Sequence, residues 1–269
     1  MKNKKIRIGI SGAIGRMGKI LIKNIHKQKN LILSVLLVKK KKENIIKKIK
    51  NLLSEKLHKN ILISDSINNV NQYFDVLIDF STPKNTIKNL KNCIKNNKKI
   101  VIGTTGFNKI EEEKIKNSKN KINILKSANF SIGINVILDA LKKITQKIGN
   151  LSDIDILEKH HIKKKDLPSG TALSISKIIK KNINTKKNIS KNKNKKKEKK
   201  ISFATIRAGN IIGEHTIFYT MESEILKLSH IAMNRNTFAI GALIASEWLY
   251  YKKTPGLYNM NDVLKKNLK

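Results

Sequence analysis

The densest chemical signal in the chain is the run Glu158-Lys159-His160-His161-Ile162-Lys163-Lys164-Lys165-Asp166-Leu167-Pro168-Ser169-Gly170-Thr171-Ala172-Leu173. A histidine changes charge near neutral pH, so it can hold a proton for a reaction and release it. The lysines add positive charge, and Pro-Ser-Gly-Thr reads as the opening of a helix, whose first N–H groups favour an anion. The pattern predicts an acid–base group beside a dicarboxylate site. A metal at His160 and His161 is disfavoured, because no other His, Cys or carboxylate stands at an evident ligand spacing and the lysines would repel a cation. His230, in Ser229-His230-Ile231, reads as packing within a strand, and His26 and His58 as surface residues.

A second signal is Gly12-Ala13-Ile14-Gly15-Arg16-Met17-Gly18, placed directly after the apolar run Ile6–Ile10. Glycines at such a strand-to-helix turn let the backbone approach a pyrophosphate, whose charge then faces the positive end of the helix. The spacing is Gly-x-x-Gly-x-x-Gly, also compatible with an ordinary tight turn, and its context favours a dinucleotide. An acidic residue at the end of the second strand would hold an adenosine ribose hydroxyl. The chain instead has Val38 followed by Lys39 to Lys42, which could face the 2′-phosphate of NADP or form a solvated turn. Three further segments put small and hydroxyl residues at strand ends, where open α/β sheets bind ligands. They are Asp79-Phe80-Ser81-Thr82-Pro83, Gly103-Thr104-Thr105-Gly106 and Ser127-Ala128-Asn129-Phe130-Ser131.

The elements that must carry these segments follow from periodicity. Strands are expected at Ile6–Ile10, Leu31–Val38, Ile61–Ser64, Val76–Phe80, Ile100–Gly103 and Ile122–Leu125, with helices at Arg16–Lys27, Lys84–Lys95 and Asn108–Ser118. Such alternation predicts a parallel sheet covered by helices. Beyond Ser127 the pattern becomes helix Ile134–Ile148, strand Asp153–Glu158, helix Thr171–Ile183 and three consecutive strands, Ile201–Arg207, His215–Met221 and Ile225–Ile231. Consecutive strands predict a mixed or antiparallel sheet, hence an α+β second domain. A helix at Thr237–Tyr250 and a tail to Lys269 close the chain.

Composition bounds the function classes. A chain of 269 residues holds one large or two modest domains, and its 39% apolar content is interleaved throughout, which excludes wholesale disorder. The net charge of +38 would ordinarily point to a polyanionic partner. The excess is nearly all Lys, however, accompanied by abundant Asn and Ile with scarce Arg and Ala, a joint bias expected of an A/T-rich coding sequence. Selection for phosphate recognition would use Arg more freely. The Lys/Asn stretch 186–200 reads as a solvated loop. The single Cys93 fits a reducing compartment, and the cytoplasm is expected. Neither the short N-terminal apolar run nor Phe238–Tyr251, which contains Glu247, reads as a signal or membrane span.

Taken in order, these motifs and three later ones, Phe203-Ala204-Thr205-Ile206-Arg207-Ala208-Gly209, Gly213-Glu214-His215-Thr216 and Thr237-Phe238-Ala239, resemble the 4-hydroxy-tetrahydrodipicolinate reductase family from Ile6 to about Leu264. The resemblance implies an α/β fold with a Rossmann-like parallel-sheet nucleotide domain, residues 1–131 completed by 241–269. An α+β substrate and tetramerisation domain with a mixed sheet would occupy 132–240. It implies NADH or NADPH as cofactor, a small-molecule dicarboxylate as substrate, a homotetramer, and neither a specific nucleic-acid partner nor a membrane. His160 matches the family's proton donor and Lys164 its second catalytic cation, while His161, Gly170 and Thr171 match substrate-carboxylate contacts. Gly12, Ala13, Ile14, Gly15, Arg16, Met17, Gly103, Thr104, Thr105, Ser127, Ala128, Asn129 and Phe130 match the cofactor site, and no metal is implied. The chain departs from the pattern at Val38 and Lys39, where relatives that use NADH well carry an acidic and a basic residue, and at Thr82, where some carry Arg. The competing reading is a basic nucleic-acid-binding or non-catalytic dinucleotide-sensing protein on a Rossmann-like scaffold. The scarcity of aromatics outside apolar runs weighs against the first, and intact His160, Lys164, Gly170 and Thr171 against the second.

Overall fold

The computed structural model describes residues 5–40, 43–51, 53, 60–183 and 200–265. The lysine-rich stretch up to residue 199, Lys41, Lys42 and His58 lie outside the described residues. The described residues fall into two compact units, one running to Ile132 and resuming at Arg235, the other spanning Gly133–Asn234.

The first unit is built on a seven-stranded sheet. Its strands are β1 (Ile6–Ser11), β2 (Leu31–Leu37), β3 (Leu62–Ser64), β4 (Val76–Asp79), β5 (Lys99–Ile102), β6 (Asn123–Lys126) and β11 (Gly256–Tyr258), in the order β11-β6-β5-β4-β1-β2-β3. Every pairing is parallel. Parallel strands covered on both faces need apolar residues at successive positions, which is why β4 and β5 read as unbroken Val/Leu/Ile runs. Alternate residues feed opposite cores: Val76, Ile78 and Val101 pack with helices α1 (Arg16–Ile25) and α7 (Asn236–Tyr251), whereas Leu77, Ile100 and Ile102 pack towards α3 (Pro83–Lys95) and α4 (Lys109–Asn117). The order of strands reverses between β1 and β4, and the loops after those two strands hold the glycine turn and Asp79-Phe80-Ser81. Open α/β sheets form their ligand crevice at such a switch point.

The second unit joins α5 (Ile132–Ile148) and α6 (Gly170–Asn182) to a four-stranded sheet of β7 (Asp153–His160), β8 (Ile201–Arg207), β9 (Glu214–Thr220) and β10 (Ile225–Ile231), ordered β10-β9-β7-β8. β7 and β8 are parallel and the other pairs antiparallel, so the sheet is mixed as expected. Strand alternation separates two faces. Ile154, Ile156, Glu158 and His160 of β7 point to the face that packs with Ile134 and Leu141 of α5 and Ile175 and Ile179 of α6. The register puts Ile206, Ile225 and Ile231 with Leu157 and Lys159 on the opposite face.

Two α-helices, α2 (Glu43–Lys50) and α8 (Met260–Leu264), the strand β11 and two single-turn 3₁₀ segments, Ile67–Asn69 and Asn71–Tyr73, were not foreseen. α2 does place Ile45, Ile46 and Ile49 at helical spacing, but over barely more than one turn inside a lysine-rich stretch, and only Ile49 is buried. β11 and α8 have three and five residues, too short for a period, and α8 is started by a capping box between Asn259 and Asp262. No helix among the described residues is long and apolar enough to cross a membrane.

Candidate active site

The glycine turn has the geometry its spacing predicts. Gly12 adopts φ +79°, and a Cβ there would lie 2.4 Å from the Phe80 carbonyl oxygen, so only glycine fits without strain. A Cβ on Gly18 would lie 2.3 Å from the Gly12 oxygen, which closes helix α1 against the turn. Gly15 caps α1 without a side chain, so the first-turn N–H groups receive no acceptor from the cap. Ala13 is buried, Ile14 and Met17 are half-buried, and Gly15 and Arg16 are exposed. The turn therefore presents backbone donors and one exposed guanidinium, a fit for a dinucleotide pyrophosphate. At the end of β2, Val38 is buried in the core and its N–H donates to Ser64, leaving Lys39 and Lys40 exposed.

Beneath the turn lies a buried carboxylate. Asp79 is fully buried and accepts from the Ser81 hydroxyl at 2.5 Å, the Ser81 N–H at 2.9 Å and the Asn89 amide at 2.8 Å. Asn89 also donates to Ser11 at 2.9 Å, while Thr86 donates to Thr104 at 3.0 Å. Burial pushes the Asp79 carboxyl above its usual range, and the Ser81 and Asn89 hydrogen bonds oppose that push. The network fastens the ends of β1, β4 and β5 together, positioning Gly103, Thr104 and Thr105. The last of these, with Thr104, Ser127 and Ala128, lines a cavity of about 320 Å³, at the small end of ligand-sized pockets. Ser127 donates to the Asn129 carbonyl at 2.7 Å, and Phe130 is buried with its ring 5.6 Å from that of Phe80.

In the second unit β7 runs two residues further than expected, so His160 is its last strand residue and not part of the following loop. Its side chain is 8% exposed, with Nδ1 3.8 Å from Glu158 Oε2. Glu158 is completely buried. Two donors converge on it: Arg207 Nη2 at 2.7 Å and the Ser169 N–H at 3.1 and 3.2 Å. Arg207 also donates to the Asp166 carbonyl at 2.7 Å, so one guanidinium ties the His161–Pro168 loop to the strand. His215 Nε2 lies 3.7 Å from Glu158 and 3.1 Å from the Ser169 hydroxyl, which in turn accepts from Ala172 as the cap of α6. The helix start beyond this cap carries Gly170, which is exposed and donates its N–H to the Asp166 carboxylate, and Thr171, which is half-buried. Lys164 Nζ pairs with the exposed Asp166 carboxylate at 2.7 Å. His161 Nδ1 is buried with no hydrogen-bond partner among the described residues.

Burial tends to raise the Glu158 carboxyl, but the Ser169 and Arg207 hydrogen bonds prevail and hold it below the usual carboxylate range. Burial lowers both imidazoles, His215 to about 4. His160, lowered as well, is additionally raised by Glu158 and lowered by Lys164 and Arg207.

Sequence spacing missed Glu158, Arg207 and His215 as members of one cluster. Glu158, His160 and His215 bring potential ligand atoms within 4.8 Å of one another, which corrects the argument that nothing stood near enough to share a metal. The cluster still suits a cation poorly, because Glu158 already accepts from Arg207 and Ser169, and Arg207 and Lys164 add positive charge around His160. The signal available in advance was alternation: Glu158 and His160 share a strand face, and Arg207 and His215 each occupy the corresponding end of a neighbouring strand.

A doubly wound sheet with a glycine turn at its switch point, in one chain with a mixed-sheet unit bearing a histidine beside a helix start, defines the class of two-domain nicotinamide-nucleotide oxidoreductases. Two family models, described as "Dihydrodipicolinate reductase, N-terminus" and "Dihydrodipicolinate reductase, C-terminus", match residues 6–130 and 133–264, and the chain belongs to that family. Curated relatives named 4-hydroxy-tetrahydrodipicolinate reductase include that of Buchnera aphidicola subsp. Schizaphis graminum, 46% identical with 98% of this chain and 99% of the relative covered. The one from Wigglesworthia glossinidia brevipalpis is 43% identical, with 100% and 98% covered. Among solved structures, the dipicolinate-bound dihydrodipicolinate reductase of Paenisporosarcina sp. TG-14 shares the fold at a TM-score of 0.78, with 22% identity and 96% and 99% covered. The myo-inositol dehydrogenase of Corynebacterium glutamicum ATCC 13032 shares it more loosely, at 0.57, with 12% identity and 97% and 93% covered.

Proposed function

We propose that this chain reduces 4-hydroxy-tetrahydrodipicolinate to tetrahydrodipicolinate with NADH or NADPH, the reductase step of diaminopimelate and lysine biosynthesis. Family membership over nearly the whole chain supports the substrate. The observation that carries the chemistry is His160, whose Nδ1 is turned towards buried Glu158. A Cβ on Gly213 would lie 3.2 Å from Nε2, so glycine there keeps that nitrogen approachable.

In balance, substrate, NAD(P)H and a proton give tetrahydrodipicolinate, NAD(P)⁺ and water. The ring loses its hydroxyl as water, and the conjugated imine that results takes up a hydride and a proton. The nicotinamide supplies the hydride. His160 holds the proton on Nε2 and delivers it as electron density builds in the ring, which is general acid catalysis. Lys164 acts as the second cation. His161 and the N–H groups of Gly170 and Thr171 neutralise the substrate's carboxylates at the start of α6. The turn from Gly12, Ala13 and Ile14 through Gly15, Arg16 and Met17 holds the pyrophosphate. Gly103, Thr104 and Thr105, with Ser127, Ala128, Asn129 and Phe130, form the remaining cofactor contacts.

Residues 1–131 with 241–269 serve in this reading as the dinucleotide-binding domain, and 132–240 as the substrate and oligomerisation domain. The sheet face carrying Ile206, Ile225 and Ile231, 41%, 61% and 56% exposed, supports assembly into a homotetramer through that domain. Work in the cytoplasm is supported by the free, buried Cys93. The test is oxidation of NADH and of NADPH by purified protein, with substrate generated from pyruvate and aspartate semialdehyde by a synthase. Substrate-dependent oxidation is expected. Its absence from folded protein, with nucleic-acid affinity that falls steeply with salt, would favour the basic-protein alternative.

A further inference from the structure

The proton-donor reading leaves His160 with an electrostatic problem. Burial disfavours its charged form, and Lys164 and Arg207 add positive charge around it. The imidazole is held below its usual range even with Glu158 raising it, so without that carboxylate it would titrate lower still. The groups that face it are Glu158 on its own strand, Arg207 on β8, His215 on β9, and Lys164 and Asp166 on the following loop. His230 on β10 acts on His215, lowering it. Of the two carboxylates, Asp166 is exposed and engaged with Lys164. Only Glu158 is buried beside the imidazole: Oε2 lies 3.8 Å from Nδ1, a charge contact and not a hydrogen bond, and Nδ1 has no hydrogen-bond partner among the described residues.

We propose that Glu158 is a positioning residue for the reduction, a buried carboxylate that fixes His160 with Nδ1 inward and gives its imidazolium a counter-charge while anchoring the anion-binding start of α6 through Ser169. The inference rests on the reading of His160 as proton donor and assigns a role to the side chain behind it. The supporting geometry is convergent. Arg207 and the Ser169 N–H hold the Glu158 carboxyl below its usual range, so the counter-charge is in place near neutral pH. His215 stands equally near Glu158, but its burial, which lowers it to about 4, keeps it neutral in the working range. The carboxylate's influence is therefore not divided between two imidazolium ions. The composition of the chain points the same way: in a sequence with four arginines among 57 basic residues, one is Arg207, donating to Glu158 and to the loop carbonyl of Asp166. Both bonds come from Nη2 while Nη1 donates to the Ile206 carbonyl, three acceptors on two nitrogens, which a single ammonium does not reproduce.

Inward Nδ1 has a second consequence. In the neutral ring the proton sits on Nδ1, facing the carboxylate, and Nε2 carries the lone pair that is reprotonated between turnovers.

The experiment compares wild type, Glu158→Gln and Glu158→Asp. Gln keeps the shape and can still accept from Ser169 and Arg207 but removes the charge, whereas Asp keeps the charge. Because the acid must be protonated, kcat/KM falls as pH rises through the His160 pKa. In Glu158→Gln that limb is expected to move down by about one to two pH units, with the NMR titration midpoint of the His160 ring moving equally and the cofactor KM unchanged. Glu158→Asp is expected to keep the limb near its wild-type position. A folded Glu158→Gln protein with an unmoved limb and midpoint, or with a loss equal at every pH, would overturn the proposal. Should Glu158→Gln not fold, nitrogen-15 spectra of wild type decide: protonation of Nδ1 in the neutral ring supports the assignment, and protonation of Nε2 contradicts it. Because these spectra need no turnover, an inactive wild type would sink the reductase reading alone, and an active one with an unmoved limb would sink only the role of Glu158.

Discussion

The glycine turn and the histidine cluster solve the problem of binding charge by opposite means. After β1 the site is made of backbone: N–H groups at an uncapped helix start, with Gly12 and Gly18 chosen for the side chain they lack. At the end of β7 it is made of side chains drawn from three strands, with Glu158, His160 and His215 packed out of water and Arg207 half-buried beside them. The difference explains how a chain can drift to a charge of +38 and keep both. A backbone site is indifferent to surface lysines, which are screened by solvent. A buried cluster cannot exchange its members, because each charge removed leaves another unpaired in a low-dielectric setting.

If that contrast is right, substitutions in the two regions fail differently. The largest effect is expected from His160→Ala, which should lower kcat by roughly 100-fold or more while cofactor affinity, read by nucleotide fluorescence, stays at the wild-type value. Next comes acid. His215 is held at about 4 in the fold against 6.5 ordinarily, so the folded state resists protonation. Stability is complete above 6.5 and is lost as pH falls towards 4, by roughly 3 kcal/mol at most. Urea unfolding at several pH values should show this slope in wild type and a flatter one in His215→Gln. Gly12→Ala, forcing a Cβ against the Phe80 carbonyl, should cost about 1–3 kcal/mol and raise the cofactor KM about tenfold, leaving the pH profile of the acid untouched. A moved profile would break the separation of the two regions. Lys164→Ala should raise the substrate KM by about tenfold, the worth of one charge-assisted hydrogen bond. The smallest effect is expected of Asp166→Asn. It frees the Lys164 ammonium from an exposed pair worth at most about 1 kcal/mol, so the substrate KM should drop by less than about fivefold.

The same contrast governs what could be read in advance. The nucleotide side is local in sequence: strand, turn and helix occupy Ile6–Ile25 without interruption, so the glycine spacing and the apolar run together announced them. The buried network under the turn was hidden, because Asn85 and Asn89 on α3 look like any of the chain's many asparagines until the helix places them against Ser11 and Asp79. On the second unit His160 and the Ser169–Thr171 turn were legible as neighbours along the chain. Arg207 and His215 were quoted only as parts of motifs, since their contact with Glu158 depends on strand register, which depends in turn on which face the core claims. The element boundaries shifted by two residues at most, and the only such shift of chemical consequence put His160 inside β7.

The most direct measurement of the reaction is isotopic. With a nicotinamide cofactor carrying deuterium at both C4 positions, turnover of synthase-generated substrate should yield tetrahydrodipicolinate one mass unit heavier than that from unlabelled cofactor, because the protein passes hydride straight from nicotinamide to ring. Unlabelled product, or no product from folded protein, would contradict the account.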